Sequence, residues 1–136
     1  MAPTERSEEW RGSDDEFIVG VVHDPTAWRM DGVAGHAGLF STLDDLTVFL
    51  TRLVAGDVTP RWREWGTRRS DRSSRALGWD TYEDGTFGHT GYTGTSVRID
   101  PASGRFAILL SNRVHPTAAN RKILDFRPVF HAAAFA

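Results

Sequence analysis

Apolar positions along this chain change period twice, and each change marks a different kind of element. Leu43, Leu46, Phe49, Leu50, Leu53 and Val54 recur three and four residues apart, which predicts an amphipathic helix whose apolar stripe faces the core. Ser41 and Thr42 stand ready to cap it, Asp44 and Asp45 fall in its first turn, and Gly56 supplies its stop. From Leu77 the pattern becomes β. Gly94-Thr-Ser-Val-Arg-Ile-Asp100 alternates in side-chain character, Pro101-Ala-Ser-Gly104 reads as a turn, and residues 105–112 return as an antiparallel strand. Phe106 to Leu110 is apolar without alternation, so this strand is predicted to be covered on both faces and central.

The remaining segments are less regular. Residues 1–16 are mostly polar and predict a loosely held lead-in. Phe17-Ile-Val-Gly-Val-Val22 predicts a short strand or buried extended segment, and Gly32-Val-Ala-Gly-His-Ala-Gly38 a tight loop. Residues 57–75 turn basic and irregular, which predicts a surface excursion with one short helix around Trp62 and Trp65. Between Thr117 and Phe135, Ala118, Ile123, Leu124, Phe126, Val129 and Phe130 have approximate helical spacing. Pro128 is expected to break or kink that terminal helix, which should pack on the sheet. Together these elements predict an α+β fold in residues 17–136, an antiparallel sheet flanked by helices.

Composition narrows the chemistry. The 136 residues are 40% hydrophobic and include five Trp, enough for one globular domain. A net charge of -2 gives no electrostatic reason to expect nucleic acid as a partner. Glu64 and Asp71 interrupt the basic stretch from Arg61 to Arg75, which reads as solvated surface rather than a polyanion site. Cysteine is absent, which removes disulfides, thiolate metal sites and a cysteine nucleophile. No apolar run approaches the roughly 18 residues of a membrane span, and the polar start lacks the apolar core of a secretion signal. No cofactor is implied.

The densest chemistry lies in Phe87-Gly-His-Thr-Gly-Tyr-Thr-Gly-Thr-Ser96. His89, Thr90, Gly91 and Tyr92 put a titratable ring, a hydroxyl and bare backbone on consecutive residues. Such a strand end can offer N–H groups to a developing oxyanion and side chains to a substrate. On three residues alone, an exposed turn histidine would explain the string as well. His36 could line a cleft beside this strand or bond within its own loop, and the two readings stand level. Adjacent His23 and Asp24 invite a metal reading. No second His/Asp pair at suitable spacing follows, and Pro25 suits a turn, so the pair reads as a loop anchor.

Five segments in order carry a family resemblance: Gly20-Val-Val-His-Asp-Pro-Thr-Ala27, Gly32-Val-Ala-Gly-His-Ala-Gly-Leu-Phe-Ser-Thr42 with Asp45-Leu46, Leu77-Gly-Trp-Asp80, Phe87-Gly-His-Thr-Gly91 and Leu109-Leu-Ser-Asn-Arg113. They resemble the beta-lactamase-related serine hydrolases, which include penicillin-binding-protein-like enzymes, class C beta-lactamases and related esterases. The resemblance runs from about residue 2 to the C-terminus and implies part of a beta-lactamase/transpeptidase-like fold. Thr26 stands where relatives often have Asn, and Asp31 where a glycine is common.

Chemistry in that family rests on Ser-x-x-Lys, Tyr-x-Asn or its equivalent, and Lys-Thr-Gly or His-Thr-Gly on a strand. The resemblance makes His89-Thr90-Gly91 the third of these. His89 would then tune proton traffic or polarise substrate, Thr90 would hydrogen-bond it, Gly91 would clear space, and the Tyr92 N–H would join an oxyanion hole. The first motif is missing, because the sole lysine is Lys122 and Ala119 stands three residues before it. The second is missing because Tyr82 precedes Glu-Asp and Tyr92 precedes Thr-Gly. The chain is therefore expected to be the C-terminal portion of such a domain, silent alone. The complete enzyme would perform acyl transfer on a small ester or amide or a peptidoglycan-like substrate. The alternative is a non-catalytic module that binds a ligand or associates with a chain supplying the missing part.

Overall fold

Local turn chemistry lays the strands out as a meander in the computed structural model, which describes residues 1–6 and 17–136. The Asp100 carboxylate accepts from the Ala102 N–H at 2.8 Å and the Ser103 hydroxyl at 2.5 Å, and Gly104 takes φ +74° to close the turn. That turn joins β3 (Ser96–Ile99) to β4 (Phe106–Leu109). Preceding them, β1 (Asp80–Thr81) pairs with β2 (Phe87–Thr90), and β2 with β3, so the antiparallel order is β1-β2-β3-β4.

The expected α+β architecture is present, with one correction: β4 lies at the edge of this sheet among the described residues and is not central. Its apolar run has another cause. Helix α2 (Leu43–Ala55) and helix α4 (Ile123–Phe135) both pack against β4, which leaves all four of its residues half-buried. An unbroken apolar strand reports cover on its two faces, not a neighbour on each side.

Alternation along the strands separates two faces. Phe87 is opposite Ile99, and Ile99 opposite Phe106, so these side chains share the face covered by α2 and α3 (Trp62–Thr67). There Leu50, Leu53, Trp62, Phe87 and Ile99 form the core, with Trp62 and Trp79 rings 6.1 and 5.4 Å from that of Phe87. Thr42 caps α2 by accepting from the Asp45 N–H at 3.1 Å, and Gly56 ends it at φ +89°. Gly66 lets α3 lie directly on Phe87, because a Cβ at that position would enter the Phe87 ring.

Gly88, Thr90, Ser96 and Arg98 occupy the opposite face, beneath α4. The Ser96 Oγ there meets His131 Nε2 at 2.9 Å; both residues are buried, and His131 Nδ1 has no partner. Helix α4 begins later than expected and continues through Pro128, so of the expected break or kink the break does not occur. No helix among the described residues is long and apolar enough to cross a membrane.

Two N-terminal expectations also change. Phe17–Val22 is neither a regular strand nor wholly buried: Phe17 bridges Arg6, Val22 is buried, and Val19 and Val21 stay exposed. The lead-in is tied down where it is described, because Thr4 and Glu5 share backbone bonds with Ile18 and the Asn112 amide donates to the Pro3 carbonyl. Its other residues, 7–16, lie outside the described residues. The 57–75 stretch does hold its short helix, α3, but Trp62 is core and not surface.

Two outcomes follow for stability. Replacement Gly66→Ala is expected to destabilise by about 1–3 kcal/mol through overpacking, while Gly35→Ala, with open space around it, stays within about 0.5 kcal/mol of the parent; urea unfolding measures both. Burial, and after it the nearby Arg98 and Arg127 charges, pushes His131 below its ordinary value. The unfolded chain takes up this proton near pH 6.5 while the folded chain resists it, so this contribution leaves stability level above about pH 6.5 and lowers it below. Unfolding series between about pH 5 and 8 should show that decline in the parent and a shallower one in His131→Gln.

Candidate functional site

The end of β2 and the turn into β3 hold every residue of the predicted strand site. His89 and Thr90 are exposed at the end of the strand, Gly91 is half-buried, and Tyr92 is 64% exposed. Because side chains alternate, His89 lies on the α2/α3 face and Thr90 on the α4 face.

The carbonyl groups following His89 are all engaged. The Thr90 oxygen accepts from His89 Nδ1 at 2.9 Å, and the Gly91 oxygen from Arg127 Nη2 at 2.5 Å. Arg113 Nε donates to the Tyr92 oxygen at 2.6 Å, and the Arg113 N–H to the Thr93 oxygen at 2.9 Å. The Ser111 hydroxyl donates to the Gly94 oxygen at 2.6 Å, and the Gly91 N–H to the Thr95 oxygen at 2.8 Å, where Arg127 adds a second bond at 3.0 Å. A carbonyl held in place fixes the next peptide plane and hence the next N–H. The Gly91 N–H is spent inside the turn, whereas no described residue accepts from the Tyr92 N–H.

Two arginines therefore shape this turn; Arg113 closes the fifth of the family segments without a role attached to it, and Arg127 lies outside all five. Arg127 reaches it from α4, and burial followed by the neighbouring Arg113 lowers its guanidinium from the ordinary value. Arg113 also stacks over the Tyr92 ring, 4.1 Å from its centroid, and the His23 ring lies 5.6 Å from that ring. A third arginine, Arg75, is exposed as the solvated reading of residues 61–75 expects, yet its Nη1 lies 3.0 Å from His89 Nε2 and 3.2 Å from the Asp80 carboxylate.

Gly91 is close-packed. A Cβ there would collide with the Thr95 hydroxyl, and one at Gly88 would collide with the Val97 carbonyl oxygen. Gly94, at φ +119°, would meet Ser111 and Arg113.

His36 is placed elsewhere. Its Nε2 meets Asp24 Oδ1 at 2.9 Å, and the same carboxylate caps α1 (Pro25–Arg29) by accepting from the Ala27 N–H at 2.8 Å. That N–H, and after it the His36 ring, holds the Asp24 carboxyl below its ordinary value. His23 pairs with Glu5 at 2.6 Å. Both members of the His23-Asp24 pair thus anchor loops. Asp31, where a glycine is common in relatives, adopts φ +56°, a left-handed conformation that Asp tolerates better than most residues.

Two hollows flank these elements. One of about 380 Å³ lies beside α3, lined by Arg61, Arg68, Arg69 and Arg75 with Trp65 and Leu77. The other, about 630 Å³, is bordered by Val22, Trp28, Gly32 and Phe40. Neither is walled by His89 to Tyr92.

Removal of the α4 clamp should loosen the turn without dissolving the sheet. Arg127→Met is expected to cost about 1.5–3 kcal/mol, the range for hydrogen bonds to a charged group. Hydrogen exchange at the Gly91 amide should quicken more than exchange within β3, as measured by NMR.

Comparison with known proteins supports the family resemblance. A family model described as Beta-lactamase matches residues 2–128. Relatives from Salmonella gallinarum, Salmonella paratyphi B and Salmonella newport, each named "Putative D-alanyl-D-alanine carboxypeptidase", are 35% identical over 126 residues. The match covers 76% of this chain and 29% of each relative, so the chain spans less than a third of their length. No solved structure matches. With the family model covering nearly all of it, the chain belongs to the beta-lactamase family.

Proposed function

We propose that the end of β2 forms one wall of a serine acyl-transfer cleft, the wall that holds the substrate and its developing oxyanion, and that these 136 residues alone are catalytically silent. The observation that carries this reading is the turn from Thr90 to Thr95. Its carbonyls are all engaged, the Tyr92 N–H is left without an acceptor among the described residues, and Thr90 and His89, both exposed, precede it at the end of the strand. A preorganised donor of this kind stabilises charge that develops on a tetrahedral intermediate, because little reorganisation is needed when the charge appears.

In the complete reaction a serine oxygen attacks the substrate carbonyl. The carbonyl oxygen becomes an oxyanion facing the Tyr92 N–H, and the leaving group departs with a proton to give the acyl-enzyme, which water then hydrolyses. Thr90 hydrogen-bonds the substrate in this scheme, and His89 lies at the same strand end. The attacking serine and its lysine are not among these residues, since Lys122 is the sole lysine and Ala119 precedes it by three. The relatives' shared name supports a substrate of the peptidoglycan kind, a peptide ending in D-alanyl-D-alanine.

A second reading has its own observation. Strand β4 pairs on one side only among the described residues, and Leu124, Phe126 and Val129 expose apolar surface on α4. An open apolar edge favours association with a chain that covers it. Light scattering coupled to size exclusion tests this, because a monodisperse monomer that melts cooperatively would remove the need for a partner.

For the main reading, the purified 136-residue chain is expected to hydrolyse neither a chromogenic cephalosporin nor a nitrophenyl ester above the blank. Turnover that disappears in His89→Ala would overturn the claim of silence.

A further inference from the structure

The least expected contact at this site joins the basic 57–75 stretch to the strand. Arg75 is held in place before it reaches His89. The Ser74 oxygen accepts from the Thr81 N–H and from the Thr81 hydroxyl, each at 2.8 Å, and the Ala76 N–H donates to the Trp79 oxygen at 2.8 Å. The Asp80 carboxylate takes the Ser74 hydroxyl at 3.2 Å on one oxygen and Arg75 Nη1 at 3.2 Å on the other. The guanidinium therefore arrives at His89 from an extended segment laid along β1, with a carboxylate fixing its direction.

We propose that Arg75 is a positioning residue that holds His89 in its neutral Nδ1–H tautomer. The inference rests on the reading of His89 as part of the cleft wall. A guanidinium has N–H donors and no acceptor, so the 3.0 Å contact requires His89 Nε2 to accept. The proton of the neutral ring then sits on Nδ1, where the Thr90 oxygen receives it at 2.9 Å. Both ring nitrogens are occupied and the ring plane is fixed. A histidine free of such contacts favours the Nε2–H form, so the arrangement reverses the intrinsic preference.

This has a chemical consequence. With its lone pair capped by Arg75 and its proton spent on the backbone, His89 does not serve as a general base in this arrangement. Arg75 instead keeps a permanent positive charge beside His89, independent of the protonation of the ring. His89 thus acts as an oriented polar group, with Arg75 setting its orientation and its tautomer.

Two-bond proton–nitrogen correlation spectra of the ¹⁵N-labelled 136-residue chain, recorded at alkaline pH and assigned with His89→Gln, test this directly. The expected parent spectrum has a protonated, pyrrole-type Nδ1 and an unprotonated Nε2 at His89. In Arg75→Met, with an amide spectrum that remains folded, the population should move toward Nε2–H, and Arg75→Lys, which keeps a donor, should recover part of the shift. An Nε2–H ring in the parent, or an Nδ1–H ring that persists in Arg75→Met, would overturn the proposal. The parent spectrum decides the point even if the methionine variant fails to fold. Hydrolysis by the chain alone would remove its silence and leave the tautomer untouched, so the two ideas fail separately.

Discussion

The geometry of the candidate site depends on one constraint: the carbonyl oxygens from Thr90 to Thr95 must all be bonded while their chain crosses from β2 to β3. A two-residue hairpin would satisfy them by strand pairing alone. This turn is longer, and arginine side chains do much of that work, with Arg127 Nη2 spanning the Gly91 and Thr95 oxygens and Arg113 Nε taking that of Tyr92. A guanidinium presents several donors in a fixed plane, so Arg113 can hold the Tyr92 oxygen through Nε and the Ala118 and Asn120 oxygens through Nη1. Lysine would provide charge without that geometry. The cost is desolvation, visible in the lowered Arg127 value and in its unpartnered Nε.

Dependence on these arginines ties the site to the rest of the fold. Arg127 is carried by α4, which shares the buried Ser96–His131 contact with β3, and Ser96 begins the strand that follows the turn. Arg113 follows β4 and also donates to the Ala118 and Asn120 oxygens, linking the turn to the approach to α4. The two-faced sheet therefore separates two tasks. The α2/α3 face contains the apolar core around Phe87, and the α4 face contains the polar contacts that shape the turn.

What could be read from the sequence was what is encoded locally. Helix α2 was legible because its caps and apolar stripe lie within fifteen consecutive residues, 42–56, and the β3–β4 turn because Asp100, Ser103 and Gly104 act on one another. His89 to Tyr92 stood out as a dense local string. The arginines did not, since Arg75 meets its partner 14 residues away, Arg113 21 and Arg127 36. Contacts of that kind leave no period in a sequence. Arg75 stays exposed while it contacts His89 and Asp80, and composition does not reveal which member of the charge run from Arg61 to Arg75 makes such contacts. The edge position of β4 was hidden for a related reason: apolar character records burial of side chains, and lateral pairing uses backbone atoms common to every residue.

The glycines of this segment show why a motif alone is a weak guide to role. Gly91 suggests room for a ligand, yet the space a Cβ would fill is taken by the Thr95 hydroxyl, and at Gly88 by a backbone oxygen of β3. Their immediate function is close packing of β2 and its turn. An alanine at either position would disturb the turn before it obstructed any substrate, so lost activity in such a variant would not assign the glycine to substrate binding. The proposed oxyanion role falls instead to the Tyr92 N–H, a backbone group that only a proline at that position would remove. Evidence for it must come through the groups that aim that peptide, which brings the question back to Arg113 and Arg127 and the carbonyls they hold.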